Sequence, residues 1–225
     1  MQDLLQNLMD AAQGRVDYAD ARHVSLRAER IAVKNGALEG LDAAESEGIG
    51  VRVRLGGAWG FAGVRGCEGA DAERALALAL EVAASQPSVP ATPLAPEPPA
   101  RGRYDSPVQR DPFEVGLDEK LTVLAGACDA LREQPGVTIA RAGFRAWRTD
   151  KTFASSEGAM CEQRLIECGG GIAALAVGSG ETQIRSYPSS HSGGVAQAGY
   201  EHFLGLGLRA AAPRIAEEAV ALLSA

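Results

Sequence analysis

The chain has 225 residues, 46% of them hydrophobic and 23% charged, which is enough to close a sizeable core and reads as a water-soluble globular protein. Its net charge of −7 comes from 29 acidic residues against 22 scattered basic ones, and this balance argues against a surface built to neutralise nucleic-acid phosphates. The longest apolar runs, such as Ile172 to Val177, fall far short of the ~20 residues of a membrane span. Met1 to Gly14 carries no basic region or small-residue cleavage site, so the predicted location is the cytoplasm.

In chain order, Leu4, Leu5, Leu8, Met9 and Ala12 recur at helical spacing, with Gly14 as a stop. From Tyr18 to Leu41 the pattern is extended, with Val24 and Leu26, then Ile31 and Val33, alternating with polar neighbours. Asn35-Gly36 supplies a hairpin turn, so two or three antiparallel strands are expected. A further strand places Ile49, Val51, Val53 and Leu55 on one face and Arg52 and Arg54 on the other. Gly56-Gly57 then reverses it into Ala58 to Ala62. Asp71 is expected to cap a helix striped by Ala75, Leu76, Ala79, Leu80 and Ala83 and ended by Pro87.

Six of the eleven prolines lie between Pro87 and Pro99, and residues 87–103 read as an extended surface connection between halves 1–86 and 104–225. A single domain spanning 1–225 is the favoured organisation, with two separate halves as the other. The second half opens on a helix with Leu117, Leu121, Leu124, Cys128 and Leu131 in step, closed by Pro135-Gly136. Val137 to Arg148 alternates, with Ala140, Ala142, Phe144 and Ala146 on one face and Arg141 and Arg145 on the other. Asp150-Lys151 is expected to turn it toward Thr152 to Ser155. Strands are expected around Leu165, over Ile172 to Val177 and over Thr182 to Tyr187. A last helix has Pro213 in its first turn and Ile215, Ala219, Leu222 and Leu223 on one face. The fold class is therefore α+β, a mainly antiparallel sheet packed by helices as a two-layer sandwich. With few aromatic residues and abundant Ala and Gly, its core is expected to consist of small aliphatic side chains.

Motifs for catalysis are missing from this sequence. A hydrolytic zinc site draws on histidines at fixed helical spacing, whereas His23, His191 and His202 form no such pair and read as surface or strand-end residues. Gly169-Gly170-Gly171 and Gly178-Ser179-Gly180 lack the Lys-Ser/Thr or strand-to-helix context of a phosphate loop, so turns and bulges are expected there. Ser155-Ser156-Glu157-Gly158 has no nucleophile elbow around it and reads as a hairpin turn. Glu217 and Glu218 with Arg214 read as solvated pairs on a helix face. Cys67, Cys128, Cys161 and Cys168 show no CxxC spacing and are expected as reduced, mostly buried thiols. Trp59 and Phe61 flank Gly60 on one strand face. Core packing is the reading their size favours; the alternative makes Arg52, Trp59, Gly60 and Phe61 a contact for a peptide or partner at a sheet edge.

Tyr18-Ala19-Asp20-Ala21-Arg22, Asn35-Gly36-Ala37-Leu38, Gly48 to Val53 and Gly57 to Ala62, in this order and spacing, resemble the N-terminal signature of TldD/PmbA proteins, the "modulator of DNA gyrase" family of zinc metallopeptidases. Asp111-Pro112, Ser156-Glu157-Gly158, Gly199-Tyr200-Glu201 and Ala216 to Leu223 extend the resemblance over nearly the whole chain, and Gly57 to Phe61 looks more like the TldD than the PmbA branch. The resemblance implies a TldD/PmbA N-terminal-domain fold. It also implies that full-length relatives carry zinc on an HExxxH motif in a C-terminal catalytic domain that this sequence does not contain. No cofactor and no catalytic residue is therefore expected in this chain, which is expected to be inactive alone. Its implied role is to admit unfolded peptides and to form a homo- or heterodimer with a TldD/PmbA-family subunit. A stand-alone interaction module acting on such a subunit or on gyrase is the alternative, and direct contact with nucleic acid is not expected.

Overall fold

The computed structural model of the chain describes residues 1–87, 90, 92–96, 98–178, 180–191 and 193–224. Ser88, Val89, Ala91 and Glu97 of the proline-rich connection and Ser179 of the second glycine cluster lie outside the described residues. Helix α1 (Gln2–Ala12) buries Leu5, Leu8, Met9 and Ala12 along one face. Strands β1 (Tyr18–Lys34) and β2 (Ala37–Leu55) are joined by Asn35 and Gly36, whose φ values of 52° and 83° give the two-residue hairpin that Asn-Gly favours. Strand β3 (Ala58–Arg65) returns antiparallel to β2. Then come α2 (Gly69–Ser85), β4 (Arg101–Asp105), a 3-10 turn at Pro112–Glu114, α3 (Leu117–Arg132), β5 (Val137–Ser155), β6 (Met160–Gly178), β7 (Glu181–Tyr187), β8 (Gly194–Ala196), α4 (Tyr200–Gly205) and α5 (Leu208–Ala221).

Among the described residues these strands make an eight-stranded sheet in the order β3-β2-β1-β5-β6-β4, with β7 and β8 also pairing β6. The β6 pairs with β7 and β8 are antiparallel and its pair with β4 is parallel, so the expected α+β class with a mainly antiparallel sheet holds. No helix among the described residues is long and apolar enough to cross a membrane.

Several expectations are corrected. Residues 37–41 and 48–55 are one strand, Asp150-Lys151 lies inside β5 instead of turning it, and the segments near Leu165 and Ile172 are one strand, β6. Asp71 is not the cap of α2. That position is Glu68, and Asp71, three residues on, reaches back to accept from the Glu68 N–H at 3.3 Å. Pro213 sits inside α5, past the first turn. Ala211 N–H already bonds the Gly207 carbonyl, so Pro213 removes the bond that the Arg209 carbonyl would accept, on an exposed flank where water replaces it. Leu117, expected in the apolar stripe of α3, is exposed, while Lys120 is buried with its ammonium on Glu29 and over the Phe144 ring.

The chain divides into two compact units, and each of the long strands β1, β2, β5 and β6 contributes to both. Unit 1 comprises Met1–Leu26, Glu45–Asp105 and Thr149–Arg164. Its core gathers Leu5, Leu8 and Met9 of α1, Ala72, Ala75, Leu76, Ala79 and Ala83 of α2, and Ile49, Val51 and Val53 of β2. Unit 2 comprises Arg27–Ala44, Ser106–Arg148 and Leu165–Ala225. Its core stacks Phe144 edge-on against Phe203 and Tyr200, with centroids 5.0 and 6.0 Å apart, among Leu124, Leu131, Ile172 and Ile215. All four cysteines are free, Cys128 and Cys168 buried and Cys67 and Cys161 half-buried. Burial pushes the Cys168 thiol up to about 12, so it stays protonated.

Candidate functional site

The residue that shapes the site in unit 1 is Gly60. A Cβ placed on it would lie 2.0 Å from the Ala79 carbonyl and 2.6 Å from the Ala83 nitrogen, so β3 meets the backbone of α2 directly at this point. Strand periodicity then sends its neighbours to the opposite face. Trp59 is 40% exposed and Phe61 63% exposed, which overturns the expectation that they pack in the core. The inward position is taken by the glycine because only a residue without a side chain fits against α2. β3 also ends the strand order, pairing among the described residues only with β2.

On the outward face the register sets Arg54 opposite Trp59, Arg52 opposite Phe61 and Gly50 opposite Gly63. The result is a cleft of about 680 Å³, with Gly48, Gly50 and Gly63 leaving the backbone accessible and Phe61, Arg52, Arg22 and Asp20 around it. A Cβ on Gly50 would stand 3.3 Å from the Phe61 ring, so the ring rests on this glycine. Arg52 is held from two sides. Its Nε and Nη2 donate to Asp20 Oδ2, the former at 2.8 Å, and its guanidinium lies 5.0 Å from the Trp59 ring centroid. Tyr18 meets Trp59 edge-on at 5.9 Å, and burial together with the neighbouring Asp20 carboxylate pushes its phenol up to about 12. These contacts fix the planes of the Trp59 ring and the Arg52 guanidinium relative to each other. Arg52, Trp59 and Phe61 thus share one face, whereas Gly60 points to α2 and acts by positioning them. Asp20 escaped the sequence reading as a site residue because its partner lies 32 residues away on another strand.

A second cluster lies at the rim. His23, expected at the surface or a strand end, is buried in β1, and its Nε2 is 2.7 Å from Glu47 Oε1. The Cys67 thiol also bonds Glu47. His23, Glu47 and Cys67 bring three donor atoms within 4.8 Å of one another, the arrangement among the described residues that comes nearest to a cation site. The hydrogen bond from His23, then that from Cys67, holds the Glu47 carboxyl below its ordinary range, and the same bond to Glu47 raises the Cys67 thiol. Neither Glu47 nor Cys67 carried a sequence signal.

Two family models match the chain, "PmbA/TldA metallopeptidase domain 1" over residues 19–83 and "PmbA/TldA metallopeptidase central domain" over residues 110–224. The chain belongs to the PmbA/TldD family. Its fold is similar to that of a candidate modulator of a DNA gyrase from Thermotoga maritima, with TM-score 0.72 and 16% identity over 97% of this chain and 47% of that one. A candidate modulator of DNA gyrase from Bacteroides thetaiotaomicron gives 0.67 and 14% identity over 88% of this chain and 45% of its own. TldE from Thermococcus kodakarensis gives 0.63 and 15% identity over 96% and 46%. This PmbA/TldD-family chain therefore spans less than half the length of these solved relatives. Among curated proteins none matches it.

The metallopeptidase name raises the question whether the residues present fit a hydrolytic metal. His191 lies at a turn and His202 in α4, and neither gathers two further His, Cys or carboxylate ligands among the described residues. The histidine pair on a helix that such a centre draws on is not formed by these residues.

Proposed function

We propose that this PmbA/TldD-family chain is the substrate-admitting and dimer-forming part of a TldD-like zinc metallopeptidase of the cytoplasm. In this reading it receives unfolded peptide while the zinc and the hydrolytic residues belong to another part of the protein. The observation that carries the reading is the β3 edge, where a strand paired on one side only among the described residues presents Trp59 and Phe61 outward beside a glycine-floored cleft.

The chemistry follows from the edge. An extended peptide laid along β3 finds main-chain N–H and C=O groups to pair with, which recognises an unfolded backbone whatever its sequence. The rings of Trp59 and Phe61 cover apolar side chains of such a peptide, and Arg52, anchored by Asp20, keeps the Trp59 plane fixed. A folded protein has no free backbone to offer. The metallopeptidase name of both matched domains and the share of the relatives' length that this chain covers support placing the chemistry elsewhere. Dimerisation with a TldD/PmbA-family subunit belongs to the same reading, because exposed strand edges and aromatic side chains are what subunits cover.

Titration of the chain with a reduced, carboxymethylated protein, followed by tryptophan emission, tests the reading. The expected result is a saturable shift in wild type that Trp59→Phe abolishes and that the natively folded form of the same protein does not produce. Equal responses to the folded and unfolded forms would refute it.

A further inference from the structure

In unit 2, a cleft of about 520 Å³ is lined by Arg30, Arg141, Arg145, Glu39, Ile184 and His191, among others. Arg30 stands on β1, and Arg141 and Arg145 stand on β5, its neighbour in the sheet. Their strand neighbours Ile31, Ala140, Ala142, Phe144 and Ala146 are buried in the unit 2 core, so the bases of all three arginines are rigidly set. None of the three makes an ion pair or a side-chain hydrogen bond among the described residues. In a chain of net charge −7, Arg52, Arg74, Arg103, Arg110, Arg164 and Arg214 by contrast each hold a carboxylate, and what distinguishes Arg30, Arg141 and Arg145 is that they line one cleft together.

The one acidic group among the described residues that line the cleft, Glu39, is engaged by Lys34 at 3.9 Å. Three guanidiniums and one carboxylate among the described lining residues give this cleft an excess of positive charge, which favours an anionic occupant. Guanidinium selects planar, two-oxygen anions, which it can hold through paired N–H donors. Arg141 and Arg145 are four residues apart on one strand, so their bases are spaced by roughly 13 Å, the same interval at which an extended peptide repeats side chains four residues apart on one side. Ile184, 55% exposed, gives the cleft an apolar wall.

We propose that this cleft is a subsite for acidic side chains of an extended polypeptide, so that the chain prefers unfolded segments in which Asp or Glu recurs on one side. The inference rests on the peptide-admitting reading and adds a charge preference to it.

The test uses the whole chain and three fluorescein-labelled ten-residue peptides, alternating Glu-Ser, Gln-Ser and Lys-Ser, followed by anisotropy at low ionic strength. The Glu-Ser peptide is expected to bind about tenfold more tightly than the Gln-Ser peptide, with an affinity that falls as salt rises, and the Lys-Ser peptide to bind least. Arg30→Gln, Arg141→Gln and Arg145→Gln combined should erase the preference, while Arg141→Lys keeps part of it. The combined variant should also melt close to the wild-type temperature, because the three side chains are exposed; a merely structural role would lower that temperature. If the combined variant does not fold, Arg141→Gln alone should reduce the preference about threefold.

Equal binding of the Glu-Ser and Gln-Ser peptides, or an unchanged preference in the variants, would overturn the inference. So would displacement of the acidic peptide by inorganic phosphate at concentrations at which acetate has no effect, since that assigns phosphate as the ligand. Loss of the preference with retained binding of unfolded protein removes this inference alone. Failure to bind any unfolded chain removes the underlying reading.

Discussion

The two compact units place their aromatic residues in opposite ways. Unit 2 buries Phe144, Tyr200 and Phe203 together and exposes Arg30, Arg141 and Arg145 on the strands. Unit 1 fills its core with Ala, Val, Leu, Ile and Met and turns Trp59 and Phe61 outward. The difference starts at the helix-to-strand distance. Where α2 touches the backbone of β3 at Gly60 there is no volume for a ring, so the aromatic residues of β3 occur only on its other face. An aromatic residue near a glycine is therefore not evidence of a core. Which of the two faces the strand rather than the size of the side chain decides the matter.

Substitutions can break each side of this contrast. The largest effect is expected from Phe144→Ala, which removes the ring between Tyr200 and Phe203 and should cost about 4 kcal/mol in urea unfolding. Gly60→Ala comes next, since its methyl group must separate β3 from α2, and should cost about 3 kcal/mol. If Gly60→Ala proved neutral, close approach would not be what sends the aromatics outward. Phe61→Ser should change stability by less than about 1 kcal/mol, because the ring is exposed, yet weaken the response to unfolded protein severalfold.

The smallest effect concerns pH. Bonds from His23 and Cys67 depress the Glu47 carboxyl below its ordinary value of 4.5, so the folded state holds it ionised more firmly than the unfolded state does. That contribution is complete above the unfolded value and is lost as pH falls through the folded one. Glu47→Gln should therefore flatten the acid limb of the stability curve below about pH 4.5 and leave the limb above pH 7 unchanged, as read by urea midpoints across the range.

Much of the fold was legible where one side of an element meets a core. The stripe of α1, the Asn35-Gly36 hairpin, the β2–β3 hairpin and the alternation of Ala140, Ala142, Phe144 and Ala146 all carry a period set by burial. What escaped lacks that period. Leu41 to Glu47 of β2 is exposed throughout, so the strand looked interrupted, and β4 is exposed at every position. The start of α5 was hidden by Pro213, which reads as a first-turn residue but is tolerated further in because its flank meets water.

Around the cleft, the sequence singled out Arg52, Trp59 and Phe61 as a candidate contact but gave no sign that Asp20, Glu47 or Cys67 lie beside them. Alternation reveals that a strand has two faces and is silent on which one a helix covers. The Gly60 contact with α2 decides that question, and it depends on residues about twenty positions away.

The central claim is that the free side of β3 receives an extended backbone. Amide hydrogen exchange along Ala58–Arg65, measured with and without a saturating unfolded peptide, tests it most directly. The account predicts that amides on the side of β3 away from β2 become protected while those of α5 are unchanged. Protection that left β3 untouched on binding would contradict it.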